Sequence, residues 1–237
     1  MQERLSNAMK KIVSILLEFI LVMSFVLTGC QSETESKSNM INTENKTNQT
    51  QQIIDSLKII AEGVPVQVRL ANDGQYSYEY DKDEYTVITS TNDSTFEIKV
   101  TDNKPESDSE NQTNVIISIP NHSYTLITGV SEGSSLILPS INANINVTGD
   151  ASSVMISLPS DYNKTLNYTG NASSCSLSIH DINDFTINAK ISTSTFMTPS
   201  DWPSYDMISS SYNYKSGNGT AKINIDVTSS SFAFGNE

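Results

Sequence analysis

Ile141-Asn142-Ala143-Asn144-Ile145-Asn146-Val147-Thr148 alternates apolar and polar side chains for eight residues. Successive side chains of a strand point to opposite faces, so Ile141, Ala143, Ile145 and Val147 share one face and the asparagines and Thr148 the other. A helix would need apolar residues at spacings of three and four, which this stretch does not supply.

The same period of two recurs outward from it. Phe185, Ile187, Ala189 and Ile191 alternate with Thr186, Asn188 and Lys190; Cys175, Leu177 and Ile179 alternate with Ser174, Ser176 and Ser178; Ile223, Ile225 and Val227 alternate with Lys222, Asn224 and Asp226. Earlier strands are expected at 57–60, 64–70, 76–80, 85–89, 96–100 and 115–119. A helical turn or two is expected over 51–61. No later window sustains a helical period, so the body reads as all-β.

A repeat organises these strands. Ile127-Thr128-Gly129, Val147-Thr148-Gly149 and Tyr168-Thr169-Gly170 share an apolar-Thr-Gly pattern at spacings of 20 and 21, read as corners whose glycines ease the bend. Each precedes a Ser-Ser-apolar step, and the apolar residue recurs from Leu136 at Val154, Cys175, Phe196 and Phe232. Two short strands in about 20 residues are the mark of a β-solenoid-like stack, in which no unit buries its apolar face alone. The five recurring residues then form one inward ladder. Asn142, Asn144, Asn146, Asn167 and Asn188 lie outside, where amides bond along the stack. Pro199–Gly219 reads as a long loop and Ser231–Phe234 as one end of the stack. The alternative is an antiparallel β-sandwich, which also has short strands and regular turns.

Composition narrows the function classes. Ser, Asn and Thr make up 82 of 237 residues, and 14 Lys+Arg face 27 Asp+Glu for a net charge of −13. Such a surface repels phosphate, so nucleic acid is excluded as a partner. Two His and two Cys are too few for most zinc sites, and no cofactor motif is present.

The first thirty residues read as an address. Arg4, Lys10 and Lys11 precede the apolar run Ile12–Val26, interrupted by Glu18. This is a secretory signal, too short for a comfortable membrane span. It ends in Leu27-Thr28-Gly29-Cys30, which resembles the lipobox of bacterial lipoproteins. The resemblance implies cleavage after residue 29 and diacylglycerol on Cys30, hence a partner membrane and a place on the extracytoplasmic face of the cell membrane. Residues 30–52 are almost free of apolar side chains and read as a disordered tether, spanning roughly 26 Å as a flexible coil. Residues 53–237 form the β domain.

Few residues suggest chemistry. Cys175 falls on the inward parity and reads as core. His122 falls in a turn, and His180 five residues beyond Cys175 is no base for it. Asp181, Asp184, Asp161 and Asp150 have no Ca²⁺-loop spacing, so no metal site is expected. Asp201, Trp202, Tyr205 and Asp206 lie in the long insertion. Loop aromatics flanked by carboxylates suit a carbohydrate face; alternatively Trp202 folds back over the end of a coil.

Phe96-Glu97-Ile98-Lys99-Val100, Ile116-Ile117-Ser118-Ile119-Pro120, the Gly-x-Ser-Ser-apolar coils and Gly217–Val227 resemble the putative-adhesin family of envelope proteins. The resemblance covers about residues 53–234. It implies repeated short strands and carries over no catalytic residue. The expectation is a lipid-anchored, non-enzymatic protein of the cell envelope. Its partner would be cell-wall polymer or a surface or membrane protein. The rivals are a polysaccharide-active enzyme on a β-helix and an accessory sensor of envelope stress.

Overall fold

The computed structural model describes residues 54–103, 113–179, 182–206 and 209–235. The leader, Cys30, the tether, His180 and Asp181 lie outside the described residues. Among those described, 17 strands and no helix occur.

The strands are β1 Ser56–Glu62, β2 Val66–Ala71, β3 Ser77–Glu79, β4 Tyr85–Asn92, β5 Thr95–Asp102, β6 Val115–Pro120, β7 Leu126–Glu132, β8 Ser135–Leu138 and β9 Asn144–Asp150. They continue as β10 Ser153–Ser157, β11 Thr165–Asn171, β12 Ser174–Ser178, β13 Phe185–Ser192, β14 Thr195–Met197, β15 Ser211–Ser216, β16 Ala221–Thr228 and β17 Ser231–Gly235. One sheet runs β15-β13-β16-β11-β9-β7-β1-β5-β4, the other β14-β17-β12-β10-β8-β2-β6-β3. Each coil gives one strand to the first sheet and the next strand to the second. Coil pairs with coil in parallel, and among the described residues antiparallel pairing occurs only at β3, β4 and β15 on the rims. This is the stacked all-β architecture, not the antiparallel sandwich.

The alternation decides which atoms are buried. In β9 and β11 every second residue is inside, and the inward side chains form one core between the sheets. Residues 56–62, which contain the strand expected at 57–60 and overlap the helical turn expected over 51–61, alternate in the same way and form β1, with Leu57, Ile59 and Ala61 buried. Alternation at period two, paired on both sides, leaves no helical face to bury.

The inward ladder exists, but its order differs from the sequence. Leu136 pairs with Val154, Val154 with Cys175, Cys175 with Phe232, and Phe232 with Phe196. The last coil, β16–β17, is wedged between β11–β12 and β13–β14. The Ser231–Phe234 segment is therefore interior rather than an end. The region expected as one long loop contains β15, which pairs antiparallel with the outer edge of β13. The link from β15 to β16 crosses over the start of β13, using Gly217 and Gly219 at φ 61° and 79°. Asp184 fastens it, accepting from Thr220 N at 3.0 Å and Thr220 Oγ1 at 2.7 Å, and from Gly219 N. The N-terminal coil β1–β2 is likewise interior, between β5–β6 and β7–β8.

The Thr-Gly pairs are not corners. They lie within β7, β9 and β11, and the bend comes later, at Gly133, Ala151, Ala172, Thr193 and Ser229, with φ between 46° and 61°. Gly149 and Gly170 point inward, where space rather than freedom is needed: a Cβ on Gly170 would lie 2.8 Å from Tyr168 Oη. The first pair is also out of register, because Gly129 aligns with Val147 and not with Gly149.

The serine after each left-handed residue turns inward and builds a ladder. Ser152 N donates to Ser173 Oγ at 3.2 Å, Ser173 N to Ser230 Oγ at 3.1 Å, and Ser230 N to Ser194 Oγ at 3.0 Å. A small hydroxyl that both donates and accepts suits a corner where backbone amides would otherwise be buried unpaired.

Candidate interaction surfaces

Parity places every outward side chain in a row across the stack. On the first sheet Asn167 Nδ2 donates to Asn146 Oδ1 at 2.7 Å, Asn224 Nδ2 to Asn167 Oδ1 at 2.9 Å, and Asn188 Nδ2 to Asn224 Oδ1 at 3.1 Å. Four coils thus share one amide ladder. Asn224, not singled out in the sequence, enters it through the coil swap. Charges stand beside it: Lys58 bonds Glu97 at 2.8 Å and Lys99 bonds Glu62 at 2.7 Å.

The second sheet presents a different face. Its outward residues on β8, β10, β12, β17 and β14 are Ser135 and Ile137; Ser153, Met155 and Ser157; Ser174, Ser176 and Ser178; Ser231, Ala233 and Gly235; and Thr195 and Met197. None of these carries a charge. Met155 and Met197 are 46 % and 52 % exposed. Met197, Ala233, Ser176, Met155 and Ile137 form the central row, flanked by rows of serine. The sequence pattern did hold this signal, as methionine at outward parity in two coils, but the row appears only when the coils are stacked.

The aromatic residues of the insertion meet at the β13–β14 end. Trp202 lies 5.3 Å from Phe185, 4.9 Å from Tyr214 and 5.0 Å from Phe234 between ring centroids. Phe196 stacks on Phe232 at 5.4 Å and meets Tyr205 edge-on at 5.5 Å. Tyr205 Oη donates to Ser209 O, and Tyr212 Oη to Pro203 O at 3.0 Å. Trp202 and Tyr205 are half-buried, whereas Asp201 and Asp206 are exposed beside them. The cluster folds 199–206 over the end of the core and leaves a rim with aromatic edges and carboxylates.

A shallow open groove of about 310 Å³ runs along the corners, lined by His122, Asn142 and Asp161 among others. His122 stacks on Tyr124 at 4.0 Å, and its Nε2 lies 3.0 Å from Ile54 O. The ring is thereby tied to the entry of the chain into the fold. Asp184 serves the β15–β16 link, and its bonds to Thr220 hold its carboxyl below the usual range. Asp150 accepts from Asn171 Nδ2 at 2.8 Å. Among the described residues no three His, Cys, Asp or Glu side chains converge as metal ligands, and no helix is long and apolar enough to cross a membrane. Cys175 is 4 % exposed, and burial pushes its thiol far up. A buried neutral thiol packs as a small apolar group.

No protein-family model and no curated protein sequence matches the chain. A putative adhesin from Bacteroides fragilis NCTC 9343 aligns over 77 % of this chain and 92 % of its own, at 8 % identity and TM-score 0.21. The crystal structure of a putative cell adhesion protein from Clostridium sporogenes ATCC 15579 covers 77 % of this chain and 93 % of that one, at 12 % identity and TM-score 0.56. This second likeness is one of fold: both chains are built on the same all-β architecture.

Proposed function

We propose that this chain is a non-catalytic binding protein of the adhesin type, held on the extracytoplasmic face of a bacterial membrane by diacylglycerol on Cys30 and displayed on the 30–52 tether. The observation that carries the binding role is the uncharged part of the second sheet's face, on β8, β10, β12, β17 and β14, centred on Met155. On a protein of net charge −13, a flat area of small hydroxyl side chains around exposed methionines is the surface that loses least on desolvation when another surface covers it. The lipobox-like Leu27-Thr28-Gly29-Cys30 supports the anchor, and the fold shared with a putative cell adhesion protein from Clostridium sporogenes agrees with an adhesive role. The face suits a cell-wall polymer or a surface protein, since neither needs opposite charge to dock there.

The test has two arms. Cells fed an alkyne fatty acid label the full chain, and Cys30→Ala abolishes the label and releases the protein to the medium. Met155→Glu lowers binding of the intact protein to isolated cell walls or target cells at least tenfold, with the melting temperature unchanged. Unlabelled protein sinks the anchor; binding that survives Met155→Glu and Ser176→Glu together sinks the proposed face.

A further inference from the structure

A stack of strands ends in edges, and each exposed edge presents unpaired backbone N–H and C=O groups to any passing strand. Among the described residues there are four. β3 and β14 are three residues each. β3 carries Glu79, bonded to Arg69, and β14 runs into Pro199 two residues beyond its end. β15 carries Lys215 and has the 199–206 segment fastened beside it through Tyr212 and Pro203. Short length, charge, proline and covering chain are the usual means of closing an edge.

β4 has none of these. It is eight residues long, Tyr85-Thr86-Val87-Ile88-Thr89-Ser90-Thr91-Asn92, with no charge, glycine or proline. Its last five residues are all exposed, Ile88 by 55 %. Among the described residues its outer side pairs with nothing. Three threonines and one valine, all β-branched, give it high strand propensity together with Ile88.

We infer that β4 is a homotypic docking edge, at which a second copy of this chain adds its own β4 antiparallel, joining the two first sheets across a two-fold axis. Three observations favour a copy over another occupant. Antiparallel self-pairing is isologous, so one uncharged strand satisfies both sides. The neighbouring strands bring equal charge to the joint: Lys58 with Glu97 and Lys99 with Glu62 are paired within each copy. Alongside the strand the joint is therefore neutral, and only its ends carry like charge, from Asp83 and Glu84 before β4 and Asp93 after it. Finally, the chain enters the fold beside the β4–β5 turn, where Asp55 N and Ser56 N donate to Ser94 O at 3.1 and 3.2 Å. Copies held by their N-terminal segments to one surface thus bring their β4 hairpins to a similar height, which raises the local concentration. The third of these rests on the proposed Cys30 anchor, and none of the three requires that the second sheet's face binds anything.

The joint is small, and dimers in the range of about 10–100 µM are expected. The test uses the full chain in cells. Thr86, Ile88, Ser90 and Asn92 are each replaced by Cys, and a mild oxidant is added. A disulfide-linked dimer should form with a single maximum among the four positions, and that maximum reads the register. Thr148→Cys, in the middle of the same sheet face, sets the background. Adding Thr89→Lys to the best crosslinking variant should cut the dimer about tenfold, while resistance to protease stays at the wild-type level. No dimer above the Thr148→Cys background at any of the four positions overturns the inference. So does a monomeric chain in which the β4 amides that do not bond β5 exchange slowly with deuterium, because then its own chain covers the edge.

Discussion

At the scale of single residues, the stack is unforgiving where a glycine faces inward. A Cβ on Gly170 would meet Tyr168 Oη, Cε1 and Cζ at 2.8–3.1 Å, and that ring is fixed in a fully buried position. At Gly129 only one atom comes this close, Leu136 Cδ2 at 2.9 Å, and the next contacts lie at 3.5 and 3.7 Å. Gly170→Ala should therefore cost about 1–3 kcal/mol of stability and Gly129→Ala measurably less. Urea titration of both variants checks the order, and equal midpoints would refute the steric account. Cys175 gives a second residue-scale expectation. Its thiol is pushed up by burial, so the native protein holds less thiolate at pH 8 than a free cysteine, whose pKa is about 8.5. Peptide mapping after iodoacetamide treatment should find Cys175 unlabelled in the native protein and fully labelled in denaturant. Native labelling at the denatured rate would show the coil opening freely.

At the scale of elements, strands were legible because alternation is a local property. Parity alone placed Ile145, Val147, Cys175 and Phe232 inside and Asn146 and Asn167 outside, and each lies there. Corners were less legible, because Gly drew attention that belonged to the residue after each strand: Ala151, Ala172, Thr193 and Ser229 take the left-handed turn without being glycine. The serine that follows each of them builds a ladder between coils, of which the Ser-Ser-apolar step is the trace within one coil. Trp202 shows the same limit: its place in the insertion is plain in the sequence, but its contact with Phe234 depends on the coil swap. The asparagine row, by contrast, was visible, and its contribution can be measured. Asn167 bonds both neighbours, at 2.7 and 2.9 Å. Asn167→Ala should lower stability by about 1 kcal/mol, the low end for two lost hydrogen bonds because both amides regain water. Asn146→Ala removes one of the two ladder bonds and should cost less. A thermal melt showing no change in either would mean that the ladder is surface ornament.

At the scale of the whole molecule, two consequences follow from how the core is shared. Tyr78, Tyr124, Tyr162 and Tyr168 are all held above the ordinary tyrosine range, chiefly by burial. The unfolded chain releases these protons near pH 10 while the folded chain keeps them. Stability is therefore fully present below about pH 10 and is lost as pH rises beyond it; melting temperatures level from pH 7 to 9 and falling steeply above 10 are expected, and a level curve to pH 12 would contradict this. The second consequence concerns coil order, which alternation cannot encode because every coil presents the same in–out pattern to either neighbour. All strand pairings that tie β13, β14 and β15 to the rest of the body pass through β16 and β17. Phe232 is the buried pin of that inserted coil, with ring contacts to Phe196 at 5.4 Å on one side and Tyr168 at 5.7 Å on the other. Phe232→Ala should cost about 3–5 kcal/mol, and the loss should not be uniform. Hydrogen exchange should speed first in β13 to β17, while β7 to β12, whose own parallel pairs remain, keep most of their protection. If protection instead falls equally along the whole chain, the stack unfolds as one cooperative unit, and the inserted coil is no weaker a joint than any other.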